Sequence, residues 1–192
     1  MKVRSLLSPL LALGALAALP MTAQATVYQF NATINAAQEV PASASLATGV
    51  ATLFYNDMGT LGLGDDSYDF SMSVFGLGEL ATGYHIHGPA ASGVNGGVRV
   101  NLAAAPFSSL NLGGTVLVGG NGVAPSSFNT MSMMDALMGS LAYVNVHTAT
   151  NPGGAVRGQL LLVAVVPEPS TYALLLGGLG VVGFVARRRR QA

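Results

Sequence analysis

Tyr28-Gln29-Phe30-Asn31-Ala32-Thr33-Ile34-Asn35 alternates apolar and polar side chains with a period of two. Successive side chains of a strand point to opposite faces, so this stretch buries one face and leaves the other to water. Tyr68-Asp69-Phe70-Ser71-Met72-Ser73-Val74 repeats the pattern. Outward from these two, further strands are predicted over 48–55, 81–87, 98–102, 114–118, 141–147 and 155–165. The breaks carry turn residues: Asn56-Asp57-Met58-Gly59, Gly88-Pro89, Asn95-Gly96-Gly97, Gly119-Gly120-Asn121-Gly122 and Asn151-Pro152-Gly153-Gly154. Short strands joined by Gly-rich turns predict an all-β, antiparallel sandwich or Greek-key barrel. One short helix is predicted around Ser132 to Met138, capped by Thr130 or Ser132 and ended by Gly139.

Both ends of the chain lie outside that pattern. Lys2 and Arg4 precede a Leu/Ala-rich run from Leu6 to Leu19, and Ala23-Gln24-Ala25 is an A-x-A cleavage site. Residues 1–25 therefore read as a signal peptide, with a mature chain beginning at Thr26. At the other end, Val166-Pro167-Glu168-Pro169-Ser170 leads into an apolar run from Tyr172 to Ala186 and then Arg187-Arg188-Arg189-Arg190. A membrane helix is expected over about 171–186. Its apolar run of 15 residues is short against the ~20 a bilayer needs, so flanking residues or local thinning would complete the span. The basic tail at 187–190 favours the cytoplasmic side and leaves the main domain outside.

Residues 26–165 form one domain of ordinary size. It contains two basic residues, Arg99 and Arg157, against seven acids, a net charge of −5. No basic face exists to neutralise phosphates, which argues against nucleic acid as a partner. The chain has no cysteine, which excludes disulfides, thiolate metal sites and a cysteine nucleophile.

All three histidines fall in two predicted strands, Gly83-Tyr84-His85-Ile86-His87 and Tyr143-Val144-Asn145-Val146-His147. His85 and His87 share a face, as do Tyr143, Asn145 and His147. If the two strands pair, three imidazoles converge on a site that zinc or copper suits, with one position open. Glu39 or Asn145 would then be a supporting partner or a fourth ligand. The competing reading is structural, with the histidines bonded to loop backbone and His147 anchoring the Thr148–Gly154 turn. Arg157 and Gln159 share a strand face near that turn, and Arg157 is expected to pair with an acid such as Glu39. Asp65, Asp66 and Asp69 read as solvated acids at a turn, or a weak calcium site without the full EF-hand pattern. No G-x-S-x-G elbow and no phosphate-loop context is present, so no enzyme is expected.

Two resemblances rest on these motifs. The tail, through Pro167, Glu168, Pro169, the apolar run and Arg187–Arg190, resembles the PEP-CTERM sorting signal of Gram-negative bacteria. That resemblance implies recognition and cleavage by an exosortase, a transient inner-membrane anchor, and a final place at the cell surface or outside the cell, in cells that make exopolysaccharide. Glu39-Val40-Pro41, His85-Ile86-His87-Gly88-Pro89-Ala90, Tyr143-Val144-Asn145-Val146-His147-Thr148, Asn151-Pro152-Gly153-Gly154 and Arg157-Gly158-Gln159-Leu160 resemble a CHRD domain, the module first named in chordin. The resemblance covers roughly 28–162 and implies an immunoglobulin-like sandwich. The chain departs from it at Ala42, where a second proline is usual, and at Ala155, where an acid is usual. The function expected is that of an exported binding or structural module associated with exopolysaccharide or surface proteins. A copper- or zinc-binding module using His85, His87 and His147 is the alternative, and a metal-dependent enzyme on that site a third reading.

Overall fold

The computed structural model describes residues 25–60, 64–166 and 169–191. The expected signal peptide, apart from Ala25, lies outside the described residues, as do Pro167 and Glu168 of the sorting motif. The strands are β1 (Val27–Asn35), β2 (Thr48–Asn56), β3 (Ser67–Phe75), β4 (Ala81–His87), β5 (Val98–Asn101), β6 (Ser108–Leu112), β7 (Thr115–Val123), β8 (Tyr143–Thr148), β9 (Val156–Gln159) and β10 (Leu161–Val166). Helix α1 (Met133–Met138) lies between β7 and β8, and α2 (Pro169–Arg190) forms the tail.

The strands form a single sheet in the order β5-β4-β8-β9-β1-β2-β3-β7-β6, with β10 also paired to β1. Every pairing is antiparallel. The sheet curls until its two halves face each other. Phe30, Ile34, Leu53, Phe70 and Val74 from β1, β2 and β3 share one core with Ile86, Val144 and Val146 from β4 and β8. The alternation that predicts β1 and β3 is therefore the burial pattern itself: Phe30, Ala32 and Ile34 are buried, while Asn31 and Thr33 face out. The expected antiparallel sandwich or barrel takes the form of one curled half-barrel sheet with a sandwich-like core. The physical reason is the strand pair β9–β10, broken only at Leu160. Its first part pairs with β8 and touches β1 at Arg157↔Asn35, and its second part leaves β8 and pairs with β1.

Side chains close the far seam of the curl. Asn111 on β6 accepts from the Ala81 N–H at 3.1 Å and donates to the Ala81 carbonyl at 2.8 Å. Tyr84 on β4 donates to the Ser109 hydroxyl at 2.6 Å.

The structure revises two local expectations. The segment Gly119-Gly120-Asn121-Gly122 is not a turn but the continuation of β7 along β3. Its glycines make room for aromatic rings: a Cβ on Gly120 would sit 3.1 Å from the Phe107 ring, and one on Gly122 3.0 Å from that of Tyr68. The hairpin turn lies at Gly113-Gly114, where φ is +21° and +122°, and joins β6, a strand not predicted, to β7. Helix α1 begins as expected, with the Ser132 hydroxyl accepting from the Asp135 N–H at 3.0 Å and Gly139 as C-cap.

The tail forms the 22-residue helix α2 with four arginines in its last turn. Among the described residues, no helix is long and apolar enough to cross a membrane. The run from Tyr172 to Ala186 rises only about 22 Å at helical pitch, against a hydrocarbon core of about 30 Å.

Candidate metal centre

Strands β4, β8 and β9 lie side by side and turn their outer faces toward two loops. Register puts His85 opposite Asn145, His87 opposite Tyr143 and Gly83 opposite His147. Across the next pairing, Arg157 lies opposite Asn145 and Gln159 opposite Tyr143. Directly opposed residues share a face. The intervening Tyr84, Ile86, Val144, Val146 and Val156 fill the core, so the apolar half of each strand fixes where the polar half points.

This register brings the three histidines together. One nitrogen from each of His85, His87 and His147 lies within 4.8 Å of the others. Ring centroids are 5.2 Å apart for His85–His147 and 5.6 Å for each of the other pairs. Gly83 makes this possible: a Cβ there would stand 2.8 Å from His85 Cε1. Sequence reasoning passed over Gly83, although its place two residues before His85 puts it on the same face.

Loop carbonyls set the tautomers. His87 Nδ1 lies 3.0 Å from the Gly96 carbonyl, and His147 Nδ1 lies 3.0 Å from the Pro152 carbonyl. A carbonyl only accepts, so each Nδ1 carries the proton and each neutral ring keeps its lone pair on Nε2. Those two Nε2 atoms face each other at 3.4 Å. No proton lies between them when both rings are neutral, so the two lone pairs repel. Bonds of about 2.0–2.1 Å to a shared ion, at a tetrahedral or trigonal angle, place two nitrogens at about this separation. His85 contributes a third signal, because its Nδ1 is buried and has no hydrogen-bond partner. Buried polar atoms are rarely left so.

Electrostatics favour the ligand form. Burial pushes the His85 pKa down to about 4, aided by the neighbouring His147 and His87. Burial also lowers His87 and His147, against the raising effect of their carbonyl partners. Neutral imidazole is the form that binds metal. His87 is buried, whereas His85 and His147 are half-exposed and open the cluster to solvent on their side.

The surrounding residues build a wall. The Tyr143 ring stacks on His87 with centroids 5.1 Å apart and an 18° interplanar angle. The Arg157 guanidinium lies 4.1 Å from the centre of the same ring. Arg157 is 1% exposed and donates to Asn95 Oδ1 and the Val94 carbonyl, both at 3.1 Å. The expected Arg157–Glu39 pair is thus replaced by contacts to the β4–β5 loop, although the Arg157 charge still acts on Glu39. Gln159 donates to the Ala90 and Ser140 carbonyls at 3.0 and 2.6 Å, pinning the loops on either side of the sheet face.

Glu39 does not join the three nitrogens, whereas Asn145 stands directly opposite His85 on the same face. Both are buried, and Glu39 Oε1 and Asn145 Oδ1 have no partner. Elsewhere, the turn acids have ordinary roles. Asp65 accepts from the Thr60 hydroxyl at 2.5 Å and Asp66 from the Tyr55 hydroxyl at 2.6 Å.

Comparison with known proteins matches residues 30–160 to the CHRD domain and residues 165–190 to the PEP-CTERM protein-sorting motif. No curated protein and no solved structure matches the chain. The sorting motif marks an exported protein processed by an exosortase.

Proposed function

Because the chain belongs to the CHRD domain family and carries a PEP-CTERM sorting motif, we propose that it is an exported surface module that binds one copper or zinc ion on His85, His87 and His147. The observation that carries this reading is the confrontation of His87 Nε2 and His147 Nε2 at 3.4 Å. Two carbonyls hold both rings in the tautomer that aims a lone pair at the same point. His85 supplies the third donor, with one of its nitrogens within 4.8 Å of those of the other two rings. Three imidazoles are a sufficient protein ligand set for zinc or copper with one position left open.

Around this site the protein is a surface component. The signal peptide exports it, and the apolar tail holds it in the inner membrane, the short span thinning the bilayer locally. Exosortase then removes the tail and releases the domain among exopolysaccharide and surface proteins. The domain's negative charge makes simple attraction to an anionic polymer unfavourable, so retention there depends on uncharged contacts or on metal bridging.

Elemental analysis of the tag-free protein after exposure to copper and to zinc tests the metal reading. About one ion per chain is expected, falling to background in the His87→Ala/His147→Ala double variant with its circular dichroism unchanged. Background metal in the native protein after both challenges would leave the histidines as structural residues and return the module to polymer binding.

A further inference from the structure

The exported domain has two cationic side chains, Arg99 and Arg157, and both stand at the histidine cluster. Arg157 is one ring away: its guanidinium lies 4.1 Å from the Tyr143 ring centre, and that ring stacks on His87. Arg99 follows the loop that begins at His87, and its Nε donates to the Gly88 carbonyl at 2.6 Å. The two flank His87 from opposite neighbours, β9 lying beyond β8 and β5 beside β4. Both charges disfavour a proton on His87. They do not repel an anion.

The acids lie differently. Among the described residues, no carboxylate joins the three ligand nitrogens. Two acids touch the site's surroundings. Glu39 is buried and held toward its neutral form. Glu79 is half-buried and accepts from the Thr150 N–H at 3.1 Å. Asp57, Asp65 and Asp66 gather at the β2–β3 connection, Asp69 lies on β3 and Asp135 in α1. A domain of net charge −5 thus concentrates its positive charge on one small area.

Resting on the metal reading, we infer that the open coordination position takes a small inorganic anion. Three neutral imidazoles leave the full charge of the ion uncompensated, and Arg157 and Arg99 add two fixed positive charges beside it. Arg157 acts through its field, since its guanidinium is committed to Val94, Asn95 and the Tyr143 ring. Arg99 is half-buried and has one side-chain hydrogen bond, from Nε, which leaves its Nη groups to meet the anion or its water shell. Opposite charges in a partly desolvated site attract more strongly than in bulk water, and added salt weakens them.

The test uses copper(II)-loaded full-length protein titrated with azide, read by its charge-transfer absorption and by electron paramagnetic resonance. Azide should bind at one per copper, with affinity falling as ionic strength rises. Arg99→Gln should weaken azide by about threefold or more at low salt, Arg99→Lys should recover most of the loss, and copper stoichiometry should not change in either. Neutral imidazole, titrated into the same proteins, should bind equally to all three, which a general distortion of the site would not allow. Copper bound at one per chain with a spectrum indifferent to azide overturns the anion inference and leaves the metal reading standing. Equal azide affinity in the native and Arg99→Gln proteins overturns the role given to the arginines. If no copper is retained at all, the metal reading fails first and the inference falls with it.

Discussion

Glu39 shows how one residue can carry a measurable share of the pH response. Its carboxylate is 6% exposed and lies against Gly154, where a Cβ would approach Oε2 to 2.5 Å. Burial raises its pKa to about 7, only partly opposed by Arg157, the Val40 N–H and Asn145. From the ordinary 4.5 up to about 7, the folded state holds a proton that the unfolded state has lost. Stability therefore falls as pH rises through that window. The histidines act in the other direction. His85 titrates near 4 when folded and 6.5 when unfolded, so its contribution is lost as pH falls through that range. His87 and His147 are lowered as well, and an unfolded histidine is still half-protonated at 6.5. The two effects therefore oppose each other around neutrality, and Glu39 is read by difference from a variant that lacks the carboxyl. In metal-free protein, the urea midpoint of Glu39→Gln should rise relative to that of the native chain as pH goes from about 4.5 through about 7, the histidine contribution being common to both. Parallel slopes in the two proteins would mean that Glu39 is ionised throughout.

At the scale of elements, the seam between β4 and β6 is held by side chains in place of a ladder. Asn111 satisfies both backbone groups of Ala81. Asn111→Ala leaves that N–H and carbonyl without partners and should cost about 1–3 kcal/mol, seen as a lower urea midpoint with an unchanged histidine site. An unaltered midpoint would show that water replaces the asparagine without loss. The same elements show which parts of the sequence were legible. Strands β1, β2 and β3 were readable because each buries one face, and β4 and β8, buried on both faces, because polar and apolar residues still alternate along them. Strand β6 was not, because Ser108-Ser109-Leu110-Asn111-Leu112 is mostly exposed and holds no clear alternation. The glycines of β7 were misread because Gly serves both turns and close ring packing. Only the position of Tyr68 and Phe107 distinguishes the two.

At the scale of the whole molecule, the short connection between β10 and the tail couples the fold to export. β10 ends at Val166, and the sorting motif begins at 165, so the motif adjoins the folded domain. Intact-mass measurement in a host that has exosortase should find a species beginning at Thr26 and lacking α2. A host without the enzyme should retain the tail and keep the protein with its membranes. A secreted form with an intact tail in both hosts would rule out this route.

The sequence by itself determined the sorting motif, the all-β class, the capped helix and the shared face of His85 and His87. These are local properties, written in composition, spacing and side-chain period. Tertiary structure decided that β4 and β8 are neighbours, that their register aligns Gly83 with His147, and that all ten strands belong to one curled sheet. It also decided that Arg157 turns to Tyr143, Val94 and Asn95 instead of Glu39. The reason is separation along the chain: His87 and His147 lie 60 residues apart, and only the packing of Ile86, Val144 and Val146 into a common core brings their lone pairs to one point.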